Sequence, residues 1–130
     1  MAHFVAGSVK KYIGVDYSRN MIQAAQKRFQ NVPNVEFIRN DGCTLKEIGD
    51  GSVDLVFCEL AFQHFENTAV AESYVKEAHR VLRDGGMFLA QVPKDTYSIS
   101  EVHEMFAEYS EVEDLWRNIE SVYYLVRAVK

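Results

Sequence analysis

The sequence has no apolar run longer than a few residues, two cysteines, two prolines and no cluster of positive charge. Each absence excludes something. Short apolar runs fall far below the roughly 20 residues that a membrane-spanning helix needs. Cys43 and Cys58 form no CxxC and have no second pair, so neither a zinc site nor a disulfide framework is expected. Lys and Arg together number 14 against 19 Asp plus Glu, a net charge of −5. The basic residues are scattered, so the basic footprint of a nucleic-acid binder is missing. The start, "MAHFVAGSVKK", lacks the charged-then-apolar pattern of a secretion signal. No nucleic acid, no membrane and no metal are therefore expected as partners, and a reducing cytoplasm is the default location.

What is present fits one globular domain over residues 1–130. The chain is 48% hydrophobic and 25% charged, with no repeat and no low-complexity segment. "KYIGVD" (11–16) reads as a short strand. Ser18 then caps a helix whose apolar face is Met21, Ile22, Ala25 and Phe29. "NVPN" stops that helix, because proline cannot continue it. "VEFIR" (35–39) is a second strand, and residues 43–51 hold one helical turn. "VDLVFC" (53–58) is a third strand, apolar enough to be covered on both faces. A long helix follows from about Thr68 to Arg83, ended by "RDGG" with a glycine at the left-handed cap. "MFLAQV" (87–92) is a fourth strand. Ser98 and Glu101 form a capping box for a helix to about Tyr109. Residues 112–119 and 122–129 alternate and should pair as an antiparallel hairpin. Alternating strands and helices predict an α/β fold, a mostly parallel Rossmann-like sheet with helices on both faces and a closing antiparallel pair.

In such sheets ligands bind beyond the carboxyl ends of the strands. That rule selects Asp16-Tyr17-Ser18, Asn40-Asp41-Gly42, Glu59 through His64, and Gln91 through Lys94. A carboxylate just past a strand can accept two hydrogen bonds from a ribose diol, and Asp16 has that placement. An aspartate there also serves as an ordinary turn residue, satisfying local N–H groups. Asp41 could accept from an exocyclic amine or simply belong to a "DG" turn. His79 and His103 lie on helices without a second ligand at metal spacing. Cys58 reads as a small buried hydrophobe, and Trp116 as a packing residue against the last helix.

Four segments, "KYIGVDYSRNMIQAAQKRF", "VEFIRNDG", "GSVDLVFCELAFQHF" and "EAHRVLRDGGMFLAQVP", resemble in order the successive motifs of the class I S-adenosylmethionine-dependent methyltransferases. The ending "VEDLWRNIESVYYLVRAVK" resembles their final antiparallel pair. The resemblance implies S-adenosyl-L-methionine as cofactor and assigns roles by position. Asp16 would bind the ribose hydroxyls. Tyr17 and Met21 would flank the adenine, although Met21 also lies on the apolar helix face and weighs toward the core. Asp41 and Gly42 would hold the amine edge of the base. Glu59, Leu60 and Phe62 would line the floor near the methionine part, with Gln63 and His64 facing the acceptor. His64 is the first candidate general base and Glu59 the second. The plainer reading of His64 is a loop residue bonded to a neighbour. "ELAFQHF" is not the Asn/Asp-Pro-Pro-aromatic pattern of enzymes that methylate exocyclic amines, which points to a small-molecule acceptor.

The family's glycine-rich GxGxG turn does not occur in the 130 residues. "AHFVAGSVKK" resembles the tail of the family's first helix, so the chain is expected to be N-terminally truncated, without the first strand, the glycine-rich turn and most of the first helix. It is then expected to be weak or inactive alone. In the family that first strand lies between the strands ending at Asp16 and Cys58. Without it those two strands must pair directly, residues 2–6 must fold back as a strand, or open edges must recruit a second copy. Two other functional classes remain: a non-catalytic subunit or binding module, and a nicotinamide-nucleotide-binding domain, against which the closing hairpin counts.

Overall fold

A computed structural model of the chain describes residues 5–115 and 121–130. The chain divides into two compact units, Met1–Glu47 and Ile48–Lys130.

The first unit is a strand–helix–strand turn. β1 (Tyr12–Asp16) and β2 (Val35–Arg39) run parallel, in register from Tyr12↔Val35 to Asp16↔Arg39. Between them lies α1 (Arg19–Arg28), capped by Ser18, whose hydroxyl accepts the Met21 N–H at 3.4 Å. The buried stripe of α1 runs through Ile22, half-buried Ala25 and Phe29, and the Phe29 and Phe37 rings sit 5.4 Å apart. Met21 is 60% exposed, which overturns its core reading. It lies one residue, a rotation of about 100°, off the Ile22–Ala25–Phe29 stripe. Residues 43–51 carry turns and no helix.

The second unit is a four-stranded sheet in the order β3 (Val53–Cys58), β4 (Leu82–Pro93), β6 (Tyr123–Val129), β5 (Glu111–Asp114). β3 and β4 are parallel, while β4–β6 and β5–β6 are antiparallel, so the expected closing hairpin is present. α2 (Thr68–Val81) is capped by Asn67, and α3 (Ile99–Met105) by the Ser98–Glu101 capping box. Phe88, Ala90 and Val92 of β4 and Val126 and Ala128 of β6 join Ala71, Val75, Ala78, Val102, Met105 and Phe106 in one core. β3 gives Val53, Val56 and Cys58 to that core, whereas Leu55 and Phe57 are 49% and 42% exposed. The expectation of cover on both faces of β3 therefore fails for this unit: its helices pack on one face alone. Burial pushes the Cys58 thiol up to about 12, so it is a packing residue and not a nucleophile.

The end of α2 also differs from expectation. It stops at Val81, and Leu82 is already extended (φ −65°, ψ 137°). Pairing with β3 takes over there: Leu82 lies opposite Val53, and the Ser52 N–H donates to the Val81 carbonyl at 2.8 Å. The two glycines serve a bulge instead of a helix cap. While β3 advances from Val53 to Leu55, β4 advances from Leu82 to Met87. Gly85 takes up the slack at φ +70°, and a Cβ on Gly86 would lie 2.8 Å from the Arg83 carbonyl.

Among the described residues β1 pairs with β2 alone and β3 with β4 alone. Val5 has helical dihedrals and leads into a 3-10 turn, Ala6–Ser8, so that part of the proposed fold-back strand does not form. The Asn34 side-chain amide holds the turn by donating to the Ala6 and Val9 carbonyls at 2.6 and 2.9 Å. Residues 2–4, Trp116 and the predicted strand residues 116–119 lie outside the described residues. Among those described, no helix is long and apolar enough to cross a membrane, and no group of His, Cys, Asp or Glu is arranged to hold a metal ion.

Candidate functional site

In the first unit the carboxyl ends of β1 and β2 are strapped together. The Asn40 N–H donates to the Asp16 carbonyl at 3.1 Å, and Arg39 Nε to the Tyr17 carbonyl at 3.0 Å. Asn40 is the buried polar residue of this corner, and its amide nitrogen donates to the Thr44 carbonyl at 2.8 Å. Two aspartates emerge from the corner with opposite characters. Asp16 accepts the Ser18 N–H on Oδ1 at 2.8 Å, the local turn bond of its plainer reading. Its Oδ2 makes no hydrogen bond or ion pair among the described residues, which leaves acceptor capacity for a ligand.

Asp41 has none to spare. Oδ1 accepts the Cys43 and Thr44 N–H groups at 3.0 and 2.7 Å. Oδ2 accepts the Thr44 hydroxyl at 2.8 Å and Lys46 Nζ at 3.1 Å. Four donors fill the four lone-pair positions of a carboxylate. The Cys43 N–H, then the Thr44 hydroxyl and N–H, then Lys46 hold this carboxyl well below the usual carboxylate range. A folded-state value depressed in this way adds stability above the unfolded pKa and loses it as pH falls through the folded one. Loop 40–46 should therefore keep its amide shifts through about pH 4, where ordinary carboxylates protonate, and lose them only in stronger acid. An NMR acid titration of the Cys43 and Thr44 amides checks this.

Around Asp16 the surface is open. Tyr17 is 68% exposed and Met21 60%. Gly42 sits at φ +84° with its Cβ position 3.6 Å from the Tyr17 Cβ, so glycine there leaves the tyrosine flank unobstructed. Asp16 Oδ2 has the acceptor capacity that a ribose diol would need, and exposed Tyr17 and Met21 with half-buried Gly42 leave room for a planar group. An amine on Asp41 does not fit without displacing one of the loop's own donors.

In the second unit the segment after β3 carries the other expected residues. Glu59 is exposed, with no hydrogen bond or ion pair among the described residues. Leu60 is 45% exposed and has φ +58°, the only non-glycine residue with positive φ among those described. That conformation costs a leucine on the order of 1–2 kcal/mol. Leu60→Gly should raise stability by up to about that amount, and the β-branched Leu60→Val should lower it; thermal melts of both variants test the strain.

Phe62 does not line a ligand surface. It is fully buried, edge-on to Phe65 at 5.2 Å and to Tyr97 at 6.1 Å, and it anchors the 3-10 turn Phe62–His64. Tyr97 Oη also donates to its carbonyl at 3.4 Å. With Phe62 pinned, Gln63 and His64 are presented outward and exposed. Gln63 Nε2 lies 3.1 Å from His64 Nε2, the neighbour contact of the plainer reading. Tyr123 Oη donates to Gln63 Oε1 at 3.1 Å. Tyr123 was not singled out by its sequence context, because it opens an alternating strand and lies 60 residues from Gln63. Gln91, the residue after the last β3–β4 pair Cys58↔Ala90, has a buried Oε1 with no partner among the described residues.

A methyltransferase-domain family model matches residues 1–90, more than half of the chain. The chain belongs to the methyltransferase-domain family. This is a class I S-adenosylmethionine-dependent methyltransferase domain, and its α/β fold is Rossmann-like. The chain is 33% identical over 92 residues to a probable S-adenosylmethionine-dependent methyltransferase of Mycolicibacterium smegmatis, covering 71% of this chain and 33% of that protein. It is 31% identical over 81 residues to a demethylmenaquinone methyltransferase of Staphylococcus aureus, covering 62% and 32%. The solved structure of an S-adenosylmethionine-dependent methyltransferase from Aquifex aeolicus superposes with a TM-score of 0.73 at 16% identity, covering 98% of this chain and 74% of that one. The chain spans about a quarter to a third of the length of the curated relatives it matches. Within this methyltransferase domain the closing antiparallel pair, β5 with β6, is the feature expected from sequence.

Proposed function

We propose that the chain is part of an enzyme that transfers a methyl group from S-adenosylmethionine to a small-molecule acceptor. One observation carries the reading: Asp16, at the end of β1, keeps Oδ2 uncommitted, with Tyr17 and Met21 exposed and Gly42 half-buried. Asp16 would hold the ribose diol, and Tyr17, Met21 and the Gly42 backbone would flank the base. Asp41 would act by building the loop that carries Gly42. In the second unit, taken by itself, Glu59 and His64 are the residues able to take a proton from an acceptor. His64 is the better of the two, because its ordinary pKa lies near neutrality. When bound, S-adenosylmethionine would supply a methyl already activated on a sulfonium, with a neutral thioether as the leaving group. The side chains then need only align the acceptor, exclude water and take up its proton. The demethylmenaquinone methyltransferase among its relatives, the absence of a basic surface cluster and the "ELAFQHF" segment all support a small acceptor.

The filled Asp41 carboxylate, which has no lone pair left for a base amine, supports a second reading, a non-catalytic binding module. A titration of the chain with S-adenosylhomocysteine, followed by amide NMR, tests the first step common to both. Shifts should concentrate at residues 16–21 and 40–43. An unchanged spectrum at millimolar ligand would remove the nucleoside site at Asp16 from both readings. Binding without methyl transfer to any small-molecule acceptor would favour the module.

A further inference from the structure

Loop 40–46 turns its hydrogen-bonding groups inward. Three successive N–H groups end on the loop's own side chains. Gly42 donates to Asn40 Oδ1 at 3.2 Å, and Cys43 and Thr44 donate to Asp41 Oδ1 at 3.0 and 2.7 Å. Asp41 Oδ2 takes the Thr44 hydroxyl at 2.8 Å and Lys46 Nζ at 3.1 Å. The Asn40 amide nitrogen closes the loop on the Thr44 carbonyl at 2.8 Å. On the neighbouring strand Asp16 accepts a single N–H, from Ser18, and keeps Oδ2 for a ligand. One strand end is therefore open to hydrogen bonding, and the charged acceptor and three N–H donors of the other are spent.

The edge of an adenine carries a donor, the exocyclic amine, beside an acceptor, ring N1. The edge of a hypoxanthine carries the reverse, an oxo acceptor beside N1–H. A site tells the two apart when it holds a polar group that one base satisfies and the other leaves unpaired. In loop 40–46 those groups are satisfied before a ligand arrives. An amine reaches Asp41 only by taking the place of Lys46 or of a loop donor. That exchange swaps one hydrogen bond to a carboxylate for another that is no stronger, because the ammonium it displaces is charged and the amine is neutral.

We propose that the nucleoside site of the first unit does not read the edge of the base: it selects a ribonucleoside by the diol at Asp16 and by a flat ring against Tyr17 and Met21, and takes amino- and oxo-purines alike. The inference rests on the reading of Asp16 as the ribose carboxylate, and it adds which part of the ligand is recognised. Thr44 and Lys46 then govern specificity without touching the ligand, because they keep Asp41 from the base.

The test compares two ligands on the full chain by amide NMR titration, S-adenosylhomocysteine and its 6-oxo analogue S-inosylhomocysteine, following residues 16–21. Activity plays no part in the readout. The two dissociation constants should agree within about 3-fold, whereas an amine read by a charged group would separate them by roughly 10- to 100-fold. Asp16→Asn should weaken both ligands by the same factor. Tighter binding of the adenosyl form by tenfold or more, with the shifts still at residues 16–21 and still lost in Asp16→Asn, would overturn this inference and leave the ribose reading standing. Equal binding that Asp16→Asn does not weaken, or binding of neither ligand, would overturn both.

Discussion

Phe62→Ala should destabilise the second unit by about 3–5 kcal/mol, the range for removing a fully buried phenylalanine from a packed core. The ring touches two other aromatic rings, and its carbonyl receives the Tyr97 hydroxyl. A loss of this size is a large fraction of the roughly 5–15 kcal/mol that stabilises a typical domain. At about 4–8 °C per kcal/mol, it should lower the melting temperature by more than about 10 °C. The functional consequence follows from geometry. Gln63 and His64 take their places because Phe62 is pinned between them and the core, so losing the ring should also scatter the His64 environment. Phe62→Leu, which keeps most of the volume, should lose much less. Near-ultraviolet circular dichroism and thermal melts of the two variants measure the difference. A Phe62→Ala chain as stable as wild type would mean that the turn is held by something other than the core.

Asp16→Asn should weaken S-adenosylhomocysteine binding by roughly 10- to 100-fold while leaving the fold intact. The two halves of that statement have different causes. The asparagine oxygen can still accept the Ser18 N–H, so the turn after β1 persists. What disappears is the negative charge on the oxygens offered to the ribose diol. Hydrogen bonds to a charged group contribute about 1.5–3 kcal/mol, and each 1.4 kcal/mol is about tenfold in affinity. The same substitution at Asp41 should act differently. Its carboxylate serves four donors of its own loop, so Asp41→Asn should disturb residues 40–46 even without ligand. Calorimetry on Asp16→Asn, with amide spectra of both free variants, separates a ligand contact from a loop scaffold.

Local rules reached most of the elements. "VEFIR" and "VDLVFC" are strands with the expected bounds, and Ser18 and the Ser98–Glu101 box cap the helices they were expected to cap. These signals are written within a few residues, where hydroxyl, carboxylate and β-branched side chains act on their own backbone. The misreadings needed distant information. "RDGG" looks like a helix stop, yet Val53 captures Leu82 first and the glycines build a bulge. Met21 and Phe62 exchanged places between surface and core. Met21 sits just off the buried stripe of α1, and Phe62 lies in a 3-10 turn too short to show a period. Of the site, the aspartate at the end of β1 was legible from position alone. The contrast between Asp16 and Asp41 was not, because it depends on Thr44 and Lys46 curling back onto one carboxylate and not the other. Tyr123 could be found only once β6 had been laid beside β4.

We propose Asp16 as the ribose-binding carboxylate of this methyltransferase domain. The most direct measurement is a crystal structure of this chain soaked with S-adenosylhomocysteine. The ribose diol is expected on Asp16 Oδ2, with the Ser18 N–H still on Oδ1 and the base against Tyr17 and Gly42. A nucleoside bound away from the end of β1, or an Asp16 carboxylate with no contact to the ribose, would contradict it.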